Sequence, residues 1–385
     1  MEQLESRVDA VINRCECDAV LAFGVDNFNY LTQTVLPFAW HYPTRRAAAL
    51  FPKNGRPVVT CPLDWSEAVK DQDWIGEIVP QDEALAVGDD AVMGSLTKII
   101  RNLELEGKTI GVDTSRITKS LMDSLLKQFP SVKWVPVDAV IRELRLVKTS
   151  SEVSYIEKAC KQADRGIVYA LMHLEGTVDN PGYTISEFTE RIRVHINENG
   201  ASGVGLLNTA FGTECQIYYT PQRGWVKEGD LFRMDVSSEY LGYWANVGRM
   251  GVTGSPTAEQ EAAYRDNLRL RASALETLKP GVACNEVYTQ VVRAAEKQGI
   301  AFWKEVGIGH GVGASHHEPP YLNLSDGTEL KEGMVIALDI FTYGPRQELI
   351  HSKDIYHITE GGHRKLSWYR DWKELYEVTG FRATH

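Results

Sequence analysis

Gly307-Ile-Gly-His310-Gly-Val-Gly-Ala-Ser-His316-His317-Glu318-Pro-Pro320 is the stretch on which the reading of this chain turns. Glycine on both sides of His310 leaves its ring little to pack against, so this histidine reads as a chemical group on a loop rather than as core. The neighbouring His316 reads as a partly exposed surface residue. Glu318 either orients one of the imidazoles or caps the Pro319-Pro320 turn.

Outward from this loop, the second half of the chain repeats a pattern. A helix over 151–174 passes Gly176 into a helix over 185–198 that ends at Gly200. A helix over 257–278, opened by the capping pair Thr257 and Gln260, passes Gly281 into a helix over 286–297 that ends at Gly299. Both pairs lead into strand-forming sequence, which predicts a pseudo-symmetric α/β domain. Its start lies at Arg145-Leu-Val-Lys-Thr149-Ser-Ser-Glu152, where Thr149 and Glu152 form a capping box. The boundaries expected are therefore 1–147 and 148–385. In the first part, an opening amphipathic helix, strands at 19–23, 47–51, 58–61, 110–112 and 134–137, and helices near 64–70 and 90–103 predict a small α/β domain.

Composition agrees with two domains: 385 residues with 43% hydrophobic and 24% charged residues exceed one ordinary core. No stretch near twenty residues is free of charge, and Glu2 and Glu5 stand where a signal peptide needs a basic start, so the expected location is cytoplasmic and off the membrane. The cysteines (Cys15, Cys17, Cys61, Cys160, Cys215, Cys284) lack paired spacing and read as reduced, buried thiols, with Cys215 the one set aside for a possible role. A net charge of -11 opposes nucleic acid and acidic membranes and favours a neutral or cationic small ligand.

Several segments, in order, resemble the pita-bread family of creatinase, prolidase and aminopeptidase P. Glu228-Gly-Asp-Leu-Phe-Arg-Met-Asp235 resembles the strand carrying that family's first metal-binding aspartate, and Gly242-Tyr-Trp-Ala-Asn246-Val-Gly-Arg249 the returning strand of the same hairpin. The His310 segment resembles the metal histidine followed by the substrate-contacting histidine, here His317. Leu330 to Asp339 resembles the strand of the fourth ligand, with aspartate for the usual glutamate, and Leu349-Ile-His-Ser-Lys353-Asp354 falls where the fifth ligand, a glutamate, is placed. The Asn29-Tyr30-Leu-Thr phrase resembles the smaller domain of prolidase and creatinase. The fold implied is α/β (α+β): a small N-terminal domain and a pita-bread domain with pseudo-two-fold symmetry.

Against that pattern the chain departs at the bridging positions, with Asn246 for the second aspartate and Lys353 for the last glutamate. Two dications close together need anionic bridges, which an amide and an ammonium do not supply. No metal or other cofactor is therefore expected, and Lys353 is expected to lie between Asp235 and Asp339 as a counter-ion. Arg249 is expected to pair with a carboxylate near the hairpin in a structural role. Tyr218 stands where peptidase relatives present a proton-shuttling histidine, and a phenol is a weaker shuttle at neutral pH. The expectation drawn from these departures is a metal-independent enzyme of creatinase type acting on a C–N bond of a small non-peptide metabolite. His310 would be its base, with His317, Lys353, Tyr218, Asp235 and Asp339 beside it; Xaa-Pro cleavage would be disfavoured. Asn246, Glu318, Glu214, Trp40, His41 and Arg46 complete the expected substrate contacts, the last three from a loop that in creatinase-like dimers reaches the other subunit, which implies a homodimer. The alternatives are a one-metal hydrolase or lyase using Asp235, His310 and Asp339, and a non-catalytic ligand- or peptide-binding protein.

Overall fold

The computed structural model describes residues 2–36, 44–70, 73–82, 88–176, 183–219, 224–367 and 372–379. The chain divides into two compact units, Met1–Arg145 and Leu146–His385.

In the first unit the elements run α1 (Glu2–Cys15), β1 (Ala19–Ala22), α2 (Val25–Thr32), β2 (Ala48–Pro52), β3 (Val58–Pro62), α3 (Ser66–Lys70), β4 (Glu77–Gln81), α4 (Asp89–Asn102), β5 (Thr109–Val112), α5 (Lys119–Gln128), β6 (Lys133–Pro136) and α6 (Asp138–Leu146). They build a six-stranded sheet in the order β4-β3-β2-β1-β5-β6. Its core gathers Leu21, Leu50, Val92, Ile99, Ile110 and Leu125. Helix α2, buried from Asp26 to Thr32, is absent from the sequence expectation because its eight residues are too few for a helical period to stand out.

The second unit continues with α7 (Ser150–Gly176), α8 (Ile185–Glu198), β7 (Gly203–Phe211), β8 (Leu231–Tyr240), β9 (Tyr243–Thr253), α9 (Ala258–Thr277), α10 (Cys284–Gln298), β10 (Gly309–Gly311), β11 (Glu318–Tyr321), β12 (Val335–Tyr343), β13 (Leu349–Thr359), β14 (Gly362–Lys365) and β15 (Tyr376–Val378). Seven strands lie in the order β11-β10-β12-β13-β9-β8-β7, with β14 on β13 and β15 on β9. The pseudo-symmetry is visible in two matching cores. One packs Ile167, Leu171, Phe188 and Ile192 of α7 and α8 on Phe232, Met234 and Val236 of β8. The other packs Leu270, Ala274, Val287 and Val291 of α9 and α10 on Ile336, Leu338 and Ile340 of β12.

Capping chemistry sets the helix starts. Thr149 and Glu152 exchange backbone-to-side-chain hydrogen bonds at α7, and Thr257 and Gln260 do so at α9. Behind the sheet, Arg249 of β9 donates to Asp164 of α7 at 2.8 Å and pairs with Asp354 of β13 at 3.1 Å, while Arg271 of α9 reaches Asp354 at 2.6 Å. Arg249 thus has the structural role expected of it, and both helix layers are tied to the seam between β9 and β13. Among the described residues no helix is long and apolar enough to cross a membrane.

At the end of β8, Glu239 is 4% exposed, and burial pushes its carboxyl up to about 7. A carboxyl raised in the folded state costs stability once it ionises, so its contribution declines from about pH 4 up to pH 7. Glu239→Gln should therefore raise stability by about 1–3 kcal/mol at pH 8 and by almost nothing at pH 4. Urea denaturation at both pH values measures this, and an equal shift at both would refute it.

Candidate functional site

The centre is assembled by strand register. A two-residue turn, Leu241-Gly242, with positive φ at both residues (49° and 81°), joins β8 to β9 and pairs Asp235 with Gly248 and Ser237 with Asn246. Asp235 and Asn246 are then diagonal neighbours, and the Asn246 amide donates to the Asp235 carboxylate at 2.7 Å. In the other half, β12 and β13 pair Asp339 directly opposite Lys353, and Lys353 in turn faces Gly248 where β13 meets β9. All four polar side chains therefore converge on one seam.

Lys353 is 1% exposed. Its ammonium lies 2.7 Å from Asp339 and 3.5 Å from Asp235, and it donates to the Asn246 carbonyl oxygen. Tyr218 donates its hydroxyl to Asp235. The paired ammonium and the His351 ring outweigh burial and hold both carboxyls below the usual range, while the two carboxylates raise Lys353. The centre is thus a charged cluster of two carboxylates and one ammonium.

His310 faces this cluster from β10. Its Nδ1 lies 2.9 Å from the Gly311 carbonyl, a contact that places the proton on Nδ1 and leaves Nε2 as a lone pair. That Nε2 is buried and has no hydrogen-bond partner among the described residues. His317 stacks on His310 with centroids 3.5 Å apart, and His316 stacks on His317 at 5.0 Å. Burial and then the Lys353 charge lower all three imidazoles, so they are neutral at pH 7. His316 is partly exposed, as expected, but its Nε2 is buried without a partner among the described residues and its ring belongs to the stack.

Other expected contacts lie elsewhere. Glu318 is bound to Lys148 at 2.7 Å and accepts from the Ser315 backbone at 3.3 Å, so it holds the histidine loop in shape. Glu214 has Asp230 as its charged neighbour rather than Lys353. Arg46 pairs with Asp89 at 3.0 Å within the N-terminal unit, and Trp40 and His41 fall outside the described residues. The Cys215 thiol is fully buried, donates to the Ala210 carbonyl at 3.2 Å and is pushed up to about 12, which makes it inert.

One central residue escaped the sequence reading. His351 reaches Asp339 at 2.6 Å and stacks on Phe341 at 4.1 Å. A Cβ at Gly248 would lie 2.3 Å from its ring, so glycine there makes room for the imidazole. The signal was the strand period: His351 stands two residues from Lys353 and so shares its face.

The pita-bread architecture and this site define the class, and comparison gives the family. Residues 154–360 match Metallopeptidase family M24 and residues 6–147 match the creatinase/prolidase N-terminal domain, so the chain belongs to the M24 metallopeptidase family. It is 29% identical over 273 residues to an Xaa-Pro dipeptidase of Pyrococcus horikoshii, covering 68% of this chain and 74% of that one. With the Pyrococcus furiosus Xaa-Pro dipeptidase the identity is 27%, covering 76% and 81%. Among solved structures, an X-Pro aminopeptidase of Thermotoga maritima superimposes with a TM-score of 0.83 at 19% identity over 97% of this chain and 99% of that one. The N-terminal domain of the chickpea FACT complex subunit SPT16 gives 0.71 at 15%, covering 97% and 98%, so the fold is shared beyond the peptidases.

These relatives overturn the expectation of a creatinase-type, metal-independent enzyme for non-peptide metabolites that disfavours Xaa-Pro peptides: they are named for Xaa-Pro peptides. A metallopeptidase family implies metal, and the donor set of this chain does not fit it. The faces of Asp235, Asn246 and Asp339 that would meet an ion are turned to the Lys353 ammonium, which has no lone pair to offer. Among the described residues no three His, Cys, Asp or Glu side chains are grouped to hold a metal ion.

Removing the ammonium leaves two buried carboxylates facing each other. Lys353→Met should cost about 3–5 kcal/mol at pH 7. Both carboxyls are depressed, so the stabilisation is complete above about pH 4 and fades as pH falls through their lower folded values. In denaturant titrations the gap between wild type and variant should narrow as pH is lowered below about 4; a gap constant with pH would exclude this origin.

Proposed function

We propose that the C-terminal unit binds and hydrolyses short peptides with a free amino terminus, of the Xaa-Pro dipeptide class, at the His310, His317, Asp235, Asp339 and Lys353 centre. The observation that carries this reading is the charge balance of the centre. Two carboxylates against one ammonium leave one net negative charge in a buried site, which suits the α-ammonium of a peptide. His310 adds an acceptor, because its Nε2 lone pair has no partner among the described residues. The Xaa-Pro dipeptidases among the relatives support peptide hydrolysis as the outcome.

In this reading His310 accepts a hydrogen bond from the bound peptide, His317 stacks over it from the exposed side, and Tyr218 holds Asp235 in orientation. His351 does the same for Asp339. A small-molecule substrate and a homodimer belong to the same proposal, and light scattering of the purified chain measures the second.

Release of proline from a panel of Xaa-Pro dipeptides, with Xaa-Ala and N-acetylated Xaa-Pro as controls, tests it. Turnover is expected for the free dipeptides, with a loss of about tenfold or more on acetylation and a loss of about a hundredfold in His310→Ala. If no dipeptide is bound or cleaved, or the acetylated compounds are preferred, the reading is wrong.

A further inference from the structure

We propose that Lys353 is the resident cation of this centre: its ammonium occupies the place between Asp235, Asn246 and Asp339 that divalent ions take in a metallopeptidase, so the native chain excludes such ions. The inference goes beyond the peptide reading and does not depend on which peptide is taken.

Geometry makes the exclusion strong. The lysine backbone is pinned by direct pairing with Asp339 and Gly248, and its carbonyl accepts from Arg249 at 2.7 Å. Its side chain is 1% exposed and contacts three polar partners at its tip, so an entering ion must displace all three contacts or meet a like charge at close range. Asn246 reinforces the arrangement. Its amide is committed in both directions, donating to Asp235 and accepting from Lys353, and it adds no negative charge to attract an ion. A carboxylate at 246 would instead face Asp235 at 2.7 Å and need a cation to relieve the repulsion.

The same geometry says what would reverse the exclusion. Asn246→Asp combined with Lys353→Glu places carboxylates at 235, 246, 339 and 353 around His310, an oxygen-rich set with one imidazole.

The experiment is metal content and thermal stability, with no activity readout. Wild type and the double variant are purified, equilibrated with Mn²⁺, Co²⁺ or Zn²⁺, freed of unbound ion by gel filtration and measured by inductively coupled plasma mass spectrometry. Wild type should retain less than about 0.1 ion per chain and show no Tm change on adding Mn²⁺. The double variant should retain about one to two ions and gain stability with Mn²⁺. Stoichiometric ion in the wild type that is lost in His310→Ala would overturn the proposal. So would a folded double variant that retains no more ion than the wild type. If the double variant does not fold, the wild-type measurement decides alone, and because neither arm uses a peptide, failure here is distinct from failure of the dipeptide reading.

Discussion

A buried ammonium held between two carboxylates is the constraint around which the C-terminal unit is organised. Burying a lysine side chain is costly unless its charge is paired and hydrogen-bonded. Lys353 meets that condition only because both halves of the repeat contribute: Asp235 and Asn246 come from β8 and β9, and Asp339 comes from β12. The lysine therefore joins the halves at the seam where β13 meets β9. The opposite face of the same seam carries a second ion cluster, in which Arg249 and Asp354 point toward the helices and meet Asp164 and Arg271. Alternation along the strands puts Lys353 and Asp354 on different faces, so one pair of neighbours serves both the site and the helix layer.

This arrangement separates family from chemistry. Membership of the M24 metallopeptidases rests on most of the chain, whereas the ligand set rests on a few side chains. At positions 246 and 353 this chain carries an amide and an ammonium, and the two are mutually consistent. An amide at 246 accepts from the ammonium at 353 and donates to Asp235, so neither leaves an unpaired group. A decayed site would be expected to show orphaned charges. Among the described residues, the unpartnered groups at this centre are instead imidazole nitrogens of His310, His316 and His351.

Much was legible in the chain because local chemistry writes itself locally. The capping pairs Thr149 with Glu152 and Thr257 with Gln260 predicted the starts of α7 and α9, and the structure shows both boxes. The repeated helix pairs and their glycine ends predicted the twin cores. Helix α2 is not legible because eight residues are too few to establish a helical period. His351 is not legible locally because its value comes from Asp339, twelve residues away across a strand pair. Substrate class is not legible in a few site residues: the relatives matched over most of the chain are named Xaa-Pro dipeptidases, against the creatinase-type expectation.

By itself, the sequence determined the order of the longer helices, the doubled helix-and-strand pattern and most of the groups at the centre, since these depend on neighbours in the chain. Only the tertiary structure decided what those groups do to one another. Lys353 and Asn246 are 107 positions apart, and Lys148 and Glu318 are 170 apart. A one-residue slip in the register of β13 would have turned Lys353 to the helix face and Asp354 into the site. Which charge occupies the centre is thus set by strand pairing, which no local stretch of sequence records.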